Sequence, residues 1–303
     1  MDALQEKIIR LKRKKKAVIL AHNYQIPQVQ DVADFTGDSL ELAKISRDLK
    51  EETVVLCGVK FMAETVKILS PRKKVLLPAL DAGCPMADMA EPEELLKLKK
   101  EFPAAWVVSY VNTSAEIKAL SDACCTSSNA VEVVKNVPVK QVIFVPDRNL
   151  GWWVAKNVPD KEIILWPGFC LVHEFFTKED LIRARKFHPE ALIIAHPECR
   201  REILEAADKI LSTSGMLKEV KLSAKREFVI GTEEGLIYRL KQENPEKQFY
   251  SLGSPKICVN MKKTTLDDVY RSLKDEKYQI EVNPAIIEKA NLALERMVCL
   301  KNA

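Results

Sequence analysis

The sequence predicts an α/β protein made of three similar three-layer αβα domains with parallel sheets, arranged with pseudo-threefold symmetry around a central site. Three observations carry that expectation. Segments 17–24 (AVILAHNY), 105–112 (AWVVSYVN) and 191–198 (ALIIAHPE) share one pattern, a short apolar strand ending in a polar pair. The pairs are His22/Tyr24, Tyr110/Asn112 and His196/Glu198. The positions that follow repeat as well. An aspartate comes 12 residues after the first member of each pair (Asp34, Asp122, Asp208), and a hydroxyl 5 residues later (Ser39, Ser127, Thr213). A cysteine closes each unit 62, 60 and 62 residues from His22, Tyr110 and His196, at Cys84, Cys170 and Cys258. A period of 86 to 88 residues carrying the same polar positions marks a repeated structural unit. Finally, continuous apolar strands alternate with amphipathic helical stretches, the pattern of parallel sheets buried on both faces.

The elements follow in order. An amphipathic helix at 4–15 opens the chain, and its basic run Lys12–Lys16 suits a solvated helix C-terminus, where cations are favoured. In the first unit, KAVILAH leads into helical patterns at 27–34 and 39–49, the strand TVVLCGV, a helix at 61–69 and the strand KVLLPAL. The second unit runs through QVIFVP, a helix at 150–156 and EIILWPG; the third through EFVIGTE, a helix at 235–242 and QFYSLGS. Helices at 92–100, 178–186 and 266–274 follow the cysteines, and a last helix covers 284–300. The expected domains are therefore 1–85, 86–172 and 173–260, with 261–303 as C-terminal helices packing across them.

Composition bounds the function. With 47% apolar and 30% charged residues in 303, the chain reads as an ordinary globular enzyme. A net charge of +4 is too small and too scattered for a nucleic-acid surface. No apolar run approaches the ~20 residues of a membrane span, and no leader is apparent, so a cytoplasmic location is expected. Eight cysteines in such a protein read as metal ligands or buried thiols rather than disulfides. Cys57, Cys124, Cys125, Cys199 and Cys299 lie in or beside apolar stretches and read as buried small hydrophobes.

Cys84, Cys170 and Cys258 differ because they hold one equivalent place in all units. Zinc with three cysteines and a histidine is one reading, although zinc ligands usually come in close pairs and no CxxC exists here. An iron–sulfur cluster is the other; three thiolates on a four-iron cluster leave one iron open as a Lewis acid. In parallel α/β sheets ligands bind beyond the carboxyl ends of strands, where the polar pairs lie. Ser39, Ser127 and Thr213 fall at helix starts. Each alone reads as an N-cap; three equivalent ones suit an anionic substrate.

The motifs AHNYQ (21–25), GDSLELAK (37–44), GVKFMAETVKIL (58–69), CPMAD (84–88), YVNTSAEIKALSD (110–122), PDRNLG (146–151), HPEC (196–199), STSGM (212–216), GTEEG (231–235) and CVNMKK (258–263) together resemble the quinolinate synthase family, the A proteins of bacterial and archaeal NAD biosynthesis. The resemblance implies a [4Fe-4S] enzyme that condenses iminoaspartate with dihydroxyacetone phosphate to quinolinate, phosphate and water. It implies cluster ligation by Cys84, Cys170 and Cys258. It also implies a substrate cavity lined by His22, Tyr24, Ser39, Tyr110, Asn112, Ser127, His173, His196, Glu198 and Thr213. Glu198 is the expected general acid or base, with Tyr24, His22 and His196 as catalytic partners; the remaining residues are expected to bind substrate. His173 is expected to bond substrate or the cluster side rather than to close the open iron. An aspartate oxidase or dehydrogenase supplying iminoaspartate is the implied functional partner. Relatives often carry extra cysteines near the third ligand. Here Lys256, Ile257, Val259, Asn260 and Met261 surround Cys258, so no thiol–disulfide switch is expected there.

Overall fold

A computed structural model describes residues 3–300; positions 1–2 and 301–303 of the outer units lie outside the described residues. The repeated apolar segments form three four-stranded sheets, all parallel. The first contains Ala17–His22, Phe35–Gly37, Thr53–Cys57 and Lys74–Leu76; the second Trp106–Tyr110, Ala123–Cys125, Gln141–Val145 and Glu162–Leu165; the third Leu192–Ala195, Lys209–Ile210, Glu227–Gly231 and Gln248–Ser251. Numbering the strands of each sheet along the chain, the spatial order is 2-1-3-4 every time. The strand that leads into the polar pair is thus interior in each sheet. Helices cover the sheets, and the central strands are almost wholly buried, as the unbroken apolar runs require.

The short second strand of each sheet was not expected; only three strands per unit were legible. These strands have three, three and two residues, too few to show periodicity. The repeated aspartate makes them. Asp34, Asp122 and Asp208 each accept the backbone N–H of the interior strand (Ile19, Val107, Ile193) at 2.8 Å. The backbone N–H of each aspartate donates to the carbonyl of the same partner at 2.8, 2.9 and 3.0 Å. Each aspartate therefore imitates one rung of a ladder and docks the edge strand. Asp122→Ala should cost about 1–3 kcal/mol, read as a lower urea midpoint at unchanged m-value.

A second repeated device was invisible in the sequence reading. Lys73, Lys161 and Lys247 each bring an ammonium to two carbonyls at a helix end, those of Leu49 and Glu51, Val137 and Val139, and Val220 and Ser223. Leu49, Val137 and Ser223 are the C-cap residues of the helices Ser39–Asp48, Ala130–Asn136 and Thr213–Leu222. A cation at these orphan carbonyls is favoured by both hydrogen bonding and the helix dipole.

The basic run at the end of the helix Ala3–Lys14 is not simply solvated. Lys12 is buried, with Nζ 2.8 Å from both the Val32 carbonyl and Asp34 Oδ1. Lys15 pairs with Glu276 at 3.1 Å, tying this helix to the segment after Leu266–Asp275, which packs beside it. The helix Pro284–Cys299 packs on Ala115–Leu120, Ala123–Cys125 and Lys60–Leu69, bridging the first and second sheets. Cys57, Cys124, Cys125 and Cys199 are buried as expected, whereas Cys299 is exposed on that last helix, because it faces away from the covered side.

Candidate active site

The carboxyl ends of the three interior strands face one cavity of about 320 Å³. The first sheet sends His22, Tyr24 and Ser39 to it, the second Tyr110, Asn112 and Ser127, and the third His196, Glu198 and Thr213. His173 and the three cysteines Cys84, Cys170 and Cys258 complete the wall. Every site residue expected from the sequence is therefore at one place.

None of the three hydroxyls is spent on capping its helix. Asp38 caps the helix Ser39–Asp48, accepting from Leu40 N and Glu41 N, and Ser212 caps Thr213–Leu222, accepting from Gly215 N. Asn129 stands at the third N-cap and holds the preceding turn through Thr126 N at 2.7 Å. Ser39 and Thr213 are first helical residues, and Ser127 sits in the turn before its helix. In the first and third units the capping task thus falls to the preceding residue, and in the second no side chain caps the helix.

Glu198 lies at the centre, 3% exposed. Its Oε2 is 2.7 Å from His173 Nδ1 and 3.5 Å from His196 Nδ1, and its Oε1 accepts from Asn112 Nδ2 at 3.5 Å. The Tyr110 hydroxyl also bonds this carboxylate. Burial alone would raise the Glu198 carboxyl; its contact with His173 and the hydrogen bond from Tyr110 outweigh it and hold the group well below its ordinary value. His173 Nε2 lies 2.8 Å from Thr232 Oγ1, which is 2.6 Å from the Tyr24 hydroxyl. A hydrogen-bonded file, Tyr24–Thr232–His173–Glu198, therefore crosses the cavity wall. Thr232 escaped the sequence reading: its repeat counterparts are Pro146 and Gly58, so no repeated polar position announced it. Asn149 was missed too; its Nδ2 donates to the Glu198 carbonyl at 3.1 Å.

His22 and His196 are held neutral near pH 7 by burial. Burial lowers His22 to about 4 and His196 to about 3 against the pull of nearby carboxylates. His22 Nδ1 accepts from Tyr24 N at 3.2 Å, so Nε2 carries the proton; His196 Nε2 lies 3.2 Å from Ser127 Oγ. Burial, with the Glu198 charge, raises the Tyr24 and Tyr110 phenols well above their ordinary value, so both remain donors near neutrality. The unfolded chain protonates its histidines below about pH 6.5, whereas folded His22 and His196 resist until about 4 and 3. Stability should fall as pH drops through that window, and the depressed Glu198 adds to the fall at its lower end. Melting temperatures of metal-free protein from pH 7 to 4 check this; a flat profile would contradict neutral buried histidines.

Cys84, Cys170 and Cys258 are half-buried free thiols. Burial is the first cause that raises each, Cys84 to about 12. Three sulfur donors from three sheets, with no disulfide among them, suit a thiophilic metal group whose binding releases protons. The side chains of Cys170, His173 and Glu198 form a second group, with ligand atoms all within 4.8 Å. Its internal contacts already satisfy hydrogen bonds: His173 Nδ1 is 3.2 Å from Cys170 Sγ as well as 2.7 Å from Glu198. Asn112 Oδ1, buried and without a partner, leaves an acceptor in the cavity wall.

Parallel sheets that meet at one thiol-bearing cavity lined with titratable side chains define an α/β enzyme whose site is shared by three repeats. The comparisons specify it further. The family described as "NadA: Quinolinate synthetase A protein" matches residues 6–299. A quinolinate synthase of Thermodesulfovibrio yellowstonii is 54% identical over 295 residues, covering 97% of each chain. Those of Caldicellulosiruptor bescii and Methanoregula boonei are each 51% identical, over 298 and 297 residues and 98% of each chain. The chain belongs to the quinolinate synthetase A family, whose relatives are named as enzymes.

Proposed function

We propose that the chain is a quinolinate synthase of de novo NAD biosynthesis, condensing iminoaspartate with dihydroxyacetone phosphate to quinolinate, phosphate and water. The observation that carries this reading is the meeting of all thirteen expected side chains at one cavity. Its volume, about 320 Å³, lies in the range of small-molecule sites. Cys84, Cys170 and Cys258 would hold a [4Fe-4S] cluster. With three protein ligands such a cluster supplies an open iron, a Lewis acid for substrate oxygens.

The chain's own residues would do the rest. Glu198, held ionised beside His173, is the acid/base, and Tyr24 exchanges protons with it through Thr232 and His173. Ser39, Ser127 and Thr213, with Tyr110 and Asn112, bind the carboxylates and phosphate. Neutral His22 and His196 donate or accept at the cavity wall without adding charge. A partner aspartate oxidase or dehydrogenase would supply iminoaspartate. We place the enzyme in the cytoplasm; no described helix is long and apolar enough to cross a membrane.

The direct test is quinolinate formation by anaerobically reconstituted protein given dihydroxyacetone phosphate and an iminoaspartate source. Failure there, with hydration or dehydration of a hydroxy acid instead, would favour a hydro-lyase of the aconitase kind. Ser127→Ala should weaken binding, seen as KM raised by roughly 10-fold with kcat changed little, because the hydroxyl holds ground-state charge.

A further inference from the structure

Two buried carboxylates outside the catalytic file hold equivalent places in the second and third units. Asp147 and Glu233 are 86 residues apart, one unit period, and each is 0% exposed. Each carboxylate forks between two backbone amides. Asp147 Oδ1 accepts from Leu150 N at 2.6 Å, in the first turn of the helix Arg148–Asn157, and Oδ2 accepts from Cys170 N at 3.1 Å. Glu233 Oε2 accepts from Gly235 N at 2.7 Å, at the start of the helix Gly235–Glu243, and Oε1 accepts from Cys258 N at 3.1 Å. Lys262 Nζ sits 2.8 Å from Glu233 Oε1 and 2.7 Å from the Tyr24 carbonyl, linking this fork to the first unit. In the first unit the equivalent position is Val59, which carries no carboxylate; the loop before Cys84 is held instead by Lys60 N on the Ala82 carbonyl at 2.8 Å and by Lys263 Nζ on the Asp81 carbonyl at 2.8 Å.

The geometry points to Asp147 and Glu233 as positioning residues that hold the Cys170 and Cys258 loops in their metal-binding arrangement before the metal group arrives. This rests on the three-cysteine reading above. The amide that each carboxylate grips belongs to the ligating residue itself, so it restricts the backbone that aims the sulfur. A carboxylate is suited to this place because both its oxygens meet N–H donors; an amide of the same shape offers one acceptor and one donor. Such supporting bonds behind a ligand typically change metal affinity by about 10–100-fold.

Asp147→Asn and Glu233→Gln, compared with wild type and with Asp122→Ala, test the assignment. Asp122 also accepts a backbone amide, but that of Val107 in the interior strand rather than that of Cys84, Cys170 or Cys258. Each protein is reconstituted anaerobically with iron and sulfide. Bound iron, the rate of iron release to a chelator and the melting temperature of the metal-free form are then measured. The expected result is release about 10–100-fold faster in both fork variants, with Asp122→Ala melting lower yet releasing iron at the wild-type rate. If Asp147→Asn does not fold, Glu233→Gln tests the same claim on the other loop. Wild-type release rates in the folded fork variants would overturn the assignment, as would equal acceleration in Asp122→Ala. Wild-type protein that takes up no iron would instead remove the three-cysteine reading, a distinct outcome.

Discussion

Cys170→Ala should take up little iron on anaerobic reconstitution and show no measurable turnover, and Cys84→Ala and Cys258→Ala should behave alike. Each sheet sends one sulfur to the cavity, and no other cysteine lines it. On the proposed cluster reading, losing any one leaves two thiolates, too few to hold four irons well. Cys57, Cys124 and Cys125 are buried in the strands, and Cys299 lies on an exposed helix face. Their replacement by alanine should leave iron content unchanged. Iron analysis and visible absorption of the seven proteins separate the two sets. A Cys170→Ala protein with full iron and full activity would sink the three-cysteine site. If the proposed open iron is present, activity should also fall in air and return on anaerobic reconstitution.

Glu198→Gln should lower turnover at saturating substrate by about 100-fold or more, with far smaller changes in binding of a dicarboxylate analogue and none in iron content. The side chain keeps its shape but can no longer take up a proton. Its surroundings make the carboxylate the important form: His173 at 2.7 Å and the Tyr110 hydroxyl hold the negative charge against burial. Single-turnover and steady-state kinetics distinguish this from a binding defect. Normal turnover at saturation would move the proton work to Tyr24. That residue has its own outlet, since Thr232 joins its hydroxyl to His173.

Much of this architecture is written along the chain because a repeat is a one-dimensional signal. Fixed spacing of His22, Tyr110 and His196, of the aspartates and hydroxyls after them, and of the cysteines that close each unit survives without knowledge of any contact. Helix positions were equally legible: 92–100, 178–186 and 266–274 end within one residue of Pro92–Glu101, Lys178–Phe187 and Leu266–Asp275. Their apolar faces repeat locally at the helical period.

The features missed have partners remote in sequence. Thr232 bonds Tyr24 across 208 residues, and Asp147 reaches the Cys170 amide across 23. The two- and three-residue edge strands exist because an aspartate docks them on a strand 15 residues earlier. Asp38 and Ser212 take the capping role, so Ser39 and Thr213 are not spent on their own helices. Local composition could say that a hydroxyl lies near a helix end. Only packing of the three sheets decides whether that hydroxyl turns to its own backbone or to the shared cavity, because the competing hydrogen bonds differ by about 1 kcal/mol and their partners come from separate units.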